Sequence, residues 1–378
     1  MGNAQTLDSL YQIVEQNNPG MISLQKWLES EKVRARTGIY PDNPEINYMF
    51  LFGSPEAIGD QQELEVMQSF RFPGYYTSKV HIQDMQYEQK VMMAEQERRK
   101  LFYTVSESYL TLVWLTKKIK LLNARKTNSE KLVSLMEQAF KKREVSRATY
   151  EKAKIMDLTI QGEWKRIMAE IDIQRFRLEQ ISGGMNMDQL VPAYPEQWML
   201  LPKDSMLIHL TSQNPELGMA RLNIEENERR IQFEKWNRWP VLEVGYKSET
   251  ILDQKLQGVH AGISIPLWQN RNRVQQSQLQ RDWSHSQYQQ LENNIITEFS
   301  SLYNEVITNY DNYLSIKEII SDTEVLENSL DLLMAGQISF PEYLIEIDFY
   351  NDAVESFLFV EKEYYMGFAK IKQMVSFD

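Results

Sequence analysis

The side chains that most often do chemistry are thinly spread in this chain. Its four histidines, His81, His209, His260 and His285, stand far apart, and no two share the four-residue spacing that puts a pair of imidazoles on one helix face for a metal. There is no cysteine, which excludes disulfides, thiolate metal sites and a lipidated N-terminal cysteine in this chain. Methionine is plentiful at 18; Met92–Met93 and Met185–Met187 could meet a soft metal, but thioethers more often fill gaps between helices. No glycine-rich phosphate loop, nucleophile elbow or pair of catalytic carboxylates stands out, so the chain reads as a non-enzyme without a cofactor or a metal site. The runs ENERR (226–230) and EQERRK (95–100) read as solvated helix faces. The sharpest local motif is GQISFPEYL at 336–344. Gly336 suits a helix C-terminus, Ser339 can cap the next helix, and Glu342 three residues later is the capping-box partner. KREVSRATY at 142–150 is a weaker counterpart without the glycine, and Lys142, Arg143 and Arg147 make it basic.

Bulk properties narrow the class. The net charge of -12 argues against nucleic acid as a partner, because phosphate binding needs clustered Lys and Arg. Only 15 Gly and 12 Pro in 378 residues is low for an all-β protein. No run of about 18 apolar residues exists, so no helix spans a bilayer; weakly alternating strands could still cross one as a barrel. The start, MGNAQTLDSL, lacks a basic region followed by an apolar one, so an exported form has lost its signal peptide. Gly2 and Thr6 formally fit a short acylation pattern.

The elements that would position these residues come twice. DSLYQIVEQNNP (8–19) and DSMLIHLTSQNP (204–215) lie 196 residues apart, as do Pro44 and Pro240. Pro73 and Pro266, Ser146 and Ser339, and Tyr150 and Tyr343 are each 193 apart. These matches in order predict a tandem duplication, 1–182 and 203–378, joined by the Gly- and Pro-rich linker 183–202. Each half reads helix, strand, strand, long helical hairpin. Strands are predicted at about 45–53 and 63–72, then 241–249 and 258–265, because apolar and polar residues alternate with a period of two. GSPEAIGDQQ and TILDQKLQ read as the turns between them. The hairpins occupy about 76–182 and 270–376. From Tyr76 to Lys141 there is neither Pro nor Gly; Phe102, Val105, Tyr109, Leu112, Leu115, Ile119 and Leu122 form a coiled-coil seam. The second long helix, from Asn270 to about Met334, carries Ile295, Phe299, Leu302, Val306 and Tyr313.

Four strands cannot close a barrel, which needs about eight. Either they form a small layer capping a helical bundle, or several chains pool their strands with the apolar outside facing lipid. The polar segments just beyond each strand favour pooling. Tyr75, Tyr76, Trp239 and Trp268 stand at strand–helix junctions, where an aromatic girdle belongs.

The duplicated order, with NPEL (214–217), WPVLEVGY (239–246) entering a strand and GISIPLWQNRNR (262–273) leaving one, resembles the TolC-type outer-membrane efflux family over nearly the whole chain, 7–376. The resemblance implies a mainly α protein with a small β part. It further implies a homotrimer whose twelve strands form one outer-membrane barrel, continued by a periplasmic α-helical barrel. Such a protein is a passive exit duct for small molecules or metal ions, docked to a periplasmic adaptor and an inner-membrane pump. The alternatives are a type I protein-secretion duct and, from another class, a soluble coiled-coil scaffold. By the resemblance, the hairpin tips (Lys142, Arg143, Ser146, Arg147; Gly336, Gln337, Ser339) contact the adaptor. Acidic residues just past the second tip ring the aperture: Glu342 takes the first position, Ile345 replaces the second, and Glu346 and Asp348 lie beside it. In the first tip, Thr149 replaces the family's acidic residue.

Overall fold

The computed structural model describes residues 6–55, 58–188, 190–195, 200–321 and 329–375. Outside these lie Gly2 of the acylation-like start, 56–57 of the predicted GSPEAIGDQQ turn, Gln189 and 196–199 of the predicted linker, 322–328 of the predicted second long helix, and residue 376 of the predicted last hairpin.

The chain begins with α1 (Leu7–Asn17) and α2 (Pro19–Arg34), followed by β1 (Glu45–Leu51), β2 (Gln61–Phe70), α3 (Pro73–Lys141) and α4 (Arg147–Ile181). It continues with α5 (Lys203–Gln213), α6 (Pro215–Trp236), β3 (Val241–Ile251), β4 (Gln254–Ser264), α7 (Arg273–Ser321), α8 (Ser329–Met334) and α9 (Phe340–Val375). Pro19, Pro73 and Pro215 each open a helix, where the missing N–H costs no intrahelical bond. At 69 residues, α3 is about 100 Å long. No helix among the described residues is long and apolar enough to cross a membrane.

Two compact units result, each drawing on both halves of the sequence. The first comprises Met1–Ser23, Glu97–Asn214 and Ile295–Asp378; the second comprises Leu24–Gln96 and Pro215–Asn294.

The first unit is helical. Its main core gathers Leu10 and Val14 of α1, Val105, Tyr109, Leu112, Leu115 and Leu122 of α3, Ile167, Ile171 and Leu178 of α4, and Ala369 of α9. The predicted seam is therefore buried, with Phe102 and Ile119 partly so. The two Asn-Pro steps act as joints. Asn18 closes α1 through its N–H to the Val14 carbonyl (2.9 Å), and its Oδ1 accepts from Met21 N–H (3.0 Å) to open α2. Its Nδ2 donates to the carbonyl of Ile181, the last residue of α4, at 2.8 Å. Asn214 Nδ2 donates to the Met374 carbonyl near the end of α9, at 3.4 Å. The described part of 183–202 is pinned down. Met187 and Leu190 are buried, and the Tyr109 hydroxyl bonds both the N–H and the C=O of Ala193, each at 3.1 Å. Tyr303 donates to the Leu201 carbonyl at 3.2 Å, and Tyr365 stacks on Tyr194 at 4.2 Å.

The second unit carries the sheet, antiparallel throughout in the order β1-β2-β3-β4. Directly opposed residues point to the same face, so the register decides what each face presents. Ile46, Val66, Tyr246 and Val259 form one row across all four strands. Tyr48 and Leu64 extend that face toward the turns, and Val244, Ala261, Phe70, Leu242 and Ile263 extend it toward the helices. The other face holds Glu63, Glu65, Glu243, Glu249 and His260, with Lys247 paired to Glu63. The apolar face is uncovered: Val259 is 92% exposed, and Ile46, Tyr48 and Ile263 are likewise exposed. Both β1 and β4 leave an unpaired edge.

Three local expectations change. The β3–β4 turn is only Leu252–Asp253, both with positive φ (48° and 62°), so the strands run further into TILDQKLQ than predicted. The second strand ends at Phe70 rather than at 72, because Arg71 N–H turns to the Tyr76 hydroxyl (3.1 Å) and Phe72 packs on Trp239 (4.8 Å). ENERR is only partly a solvated face: Glu228 and Arg229 are exposed, but Asn227 is buried and Glu226 is 7% exposed and accepts from Gln86, Gln89 and Arg230.

Candidate functional site

The two hairpin tips are built alike, from different residues. At the end of α3, Arg143 N–H donates to the Phe140 carbonyl (2.9 Å) and Glu144 N–H to the Ala139 carbonyl (2.8 Å). At the end of α8, Gly336 N–H donates to the Leu333 carbonyl (3.0 Å) and Gln337 N–H to the Leu332 carbonyl (2.9 Å). Both are the double-bonded helix end that needs one left-handed residue. Gly336 (φ 70°) adopts that conformation freely, whereas Arg143 (φ 64°) is held in it against its Cβ. Arg143→Gly is therefore expected to steady the first tip by about 0.5–1 kcal/mol. Slower hydrogen exchange at 138–144 would register the gain, and unchanged or faster exchange would refute the strain.

Each tip then caps its second helix. Ser146 Oγ accepts from Thr149 N–H (3.1 Å) at the start of α4. The capping box read at the second tip is formed: Ser339 N–H donates to Glu342 Oε2 (2.7 Å), and Glu342 N–H donates to Ser339 Oγ (3.4 Å). The Ser339 N–H holds the Glu342 carboxyl below its usual range. The cap is thus fully present above the ordinary carboxylate range and is lost as pH falls through the lowered value.

The tips rest on one shared core. Leu132 and Met136 of α3, Ala153 of α4, Leu330 of α8, and Tyr343 and Ile347 of α9 pack together, with Phe140 and Tyr150 stacked at 5.7 Å beside them. Tyr343 is almost wholly buried, and burial pushes its phenol up. Sequence reading used Tyr150 and Tyr343 only as landmarks of duplication; their equal offset from the two capping serines was the signal for this core.

The residues expected at an aperture divide over α9. Glu342 and Glu346 lie one turn apart on one face, with Glu342 exposed and Glu346 half-buried. Asp348 is exposed but falls well round the helix from them. Ile345 and Phe349, each 70% exposed, form the stripe between. Of the tip cations, Arg147 pairs with Glu151 at 2.8 Å, while Lys142 and Arg143 are exposed without an ion pair among the described residues. Among the described residues no group of three His, Asp or Glu side chains is placed to hold a metal ion.

The junction aromatics gather at the helix end of the sheet. Trp239 (49% exposed) packs against Phe72 and Trp236, and Trp268 is 80% exposed. Tyr75 and Tyr76 are half-buried, ring to ring at 5.4 Å, with Tyr75 also on Phe233 at 4.8 Å.

No family model matches the chain, and no curated protein matches it in sequence. Solved structures do. It superposes on CusC, described in connection with transmembrane channel formation, with a TM-score of 0.82 at 13% identity, over 98% of this chain and 92% of that one. The outer membrane protein VceC of Vibrio cholerae gives 0.80 at 14% identity, covering 97% and 95%. The Campylobacter jejuni CmeC outer membrane channel gives 0.77 at 13%, covering 98% and 85%.

Proposed function

We propose that this chain, which has the fold of the TolC-type outer-membrane channels, is itself an outer-membrane exit duct that works as a homotrimer and catalyses no reaction. Three copies pool their strands, β1 of one pairing with β4 of the next, into a twelve-stranded barrel across the outer membrane. The helical hairpins line a tunnel in the periplasm, and their tips dock to a periplasmic adaptor coupled to an inner-membrane pump. Small molecules or metal ions are its cargo, by the same likeness.

One observation carries this function: a four-stranded sheet whose mainly apolar face, with Gln68 within it and Ser248, Gln257, Thr250 and Lys255 only toward the turns, is left uncovered, and whose two edges are unpaired among the described residues. Water cannot be the natural neighbour of so much contiguous apolar surface. Closure with sister strands satisfies the edges, and hydrocarbon satisfies the face. A bilayer-crossing strand needs about 9–11 residues; β2 has 10, β3 and β4 have 11 each, and β1 is shorter at 7. Heterologous edge-to-edge contact that closes gives a ring, not a fibre.

At the second tip, three copies of Glu342 and Glu346 bring six carboxylates around one axis and favour cations. Planar-bilayer recording tests both levels. The purified protein should form pores with a preference for cations. Glu342→Gln keeps the cap, since Gln also serves a capping box, but removes three charges and should reduce the preference; Glu342→Lys should reduce it further. Pores with unaltered selectivity in both variants would remove Glu342 from the aperture, and no pores at all would remove the duct.

A further inference from the structure

The two ends of the sheet differ in charge. At the turn end the described charged residues are Asp60, Asp253 and Lys255. At the helix end, in the strand–helix connections and the adjoining turns of α6 and α7, stand Arg71, Lys235, Arg238, Arg271 and Arg273. The acids there are Asp42, Glu45, Glu234 and, on the polar face of β3, Glu243; Glu234 is buried and already paired with Arg273 at 4.0 Å. The collar is thus basic in a chain whose net charge is -12. It is also aromatic: exposed Trp239 follows exposed Arg238, and Arg271 N–H donates to the carbonyl of exposed Trp268 (3.1 Å). Arg71 is held over the Tyr75 ring at 4.6 Å and donates to Asn237 Oδ1 at 2.8 Å, which aims its guanidinium along the collar. Lys235, Arg238 and Arg271 are exposed and have no ion pair among the described residues.

We propose that this collar is a binding site for anionic phospholipid, whose headgroup phosphates lie in the leaflet at the helix end of the sheet. The proposal rests on the reading that the apolar face of the sheet meets hydrocarbon. Given that, the collar sits at headgroup depth, one strand length from the turns. A phosphodiester there offers only acceptors, and the planar guanidinium fork offers paired donors. Tryptophan rings settle at the same level, apolar body inward and N–H toward the headgroups. The partner is a lipid rather than a phosphorylated glycolipid of the opposite leaflet, because the turn end lacks a comparable set of cations. Each basic side chain near a charged bilayer surface raises the local preference about fivefold, and the effect fades beyond the screening length.

Tryptophan fluorescence in bilayers of brominated lipid tests it with the full chain. Bromine quenches only rings in contact with the labelled lipid. Wild type should be quenched in brominated phosphatidylcholine. It should be quenched at lower mole fraction by brominated phosphatidylglycerol, a preference of about tenfold or more that weakens in high salt. Arg238→Gln with Arg271→Gln, both at exposed positions, should cut the preference about tenfold or more, leaving only what Lys235 and Arg71 still contribute. Equal quenching by both lipids in wild type, or a preference that the double substitution leaves undiminished, overturns the collar site while leaving the barrel reading in place. Absence of quenching by either lipid overturns the barrel reading and the collar with it.

Discussion

Val259→Arg is expected to lower the stability of the lipid-inserted protein by about 2–4 kcal/mol per chain, the penalty for a cation on the lipid face of a barrel near the bilayer midplane. Val259 lies at the middle of β4, in the row with Ile46, Val66 and Tyr246. Its side chain touches little of its own chain, so a water-covered surface would tolerate the change within about 0.5 kcal/mol. The two environments thus predict results several-fold apart from one substitution. In the proposed trimer, three copies multiply the difference. Equilibrium refolding from guanidinium into phospholipid vesicles measures it, and His260→Arg, one residue along on the opposite face, is the control. Equal, small effects at both positions would mean that water covers the apolar face.

Tyr343→Ala should be the most damaging single change at the tips. Truncating a fully buried aromatic costs about 3–5 kcal/mol, part of it from the cavity left behind. Tyr343 belongs to the second hairpin, but its core includes Leu132, Met136 and Ala153 of the first. The loss should therefore loosen both tips together as a local opening rather than unfold the whole unit. Hydrogen exchange should quicken at 132–153 as well as at 330–347, and single-channel records should show longer or wider openings. Tyr343→Phe keeps the ring and should change little. Fast exchange confined to the second hairpin would show that the tips do not brace each other.

Much of this was legible in order along the chain. Ile46 and Tyr48, or Val244 and Tyr246, announce strands because a period of two follows from local geometry alone. Ser339 and Glu342 announce a cap because the bonds close over three residues. What failed to show were features without a residue-type signature. Leu252–Asp253 makes a two-residue hairpin with neither Asn nor Gly, so both strands read short. Arg143 stands where a glycine was the only recognised sign. Glu226 looked solvated because its partners, Gln86 and Gln89, are 140 and 137 residues away.

The sequence by itself determined the kind of each element, the polar and apolar side of each strand, and the caps, since all of these depend on neighbours within a turn or two. Only the tertiary structure decided the register that aligns four separate apolar rows into one face, the shared core that ties the two tips through Tyr343, and the cationic collar assembled from 71, 235–238 and 271–273. Burial and pairing depend on which distant segments meet, and a one-residue slip of any strand would turn its apolar row to the other side.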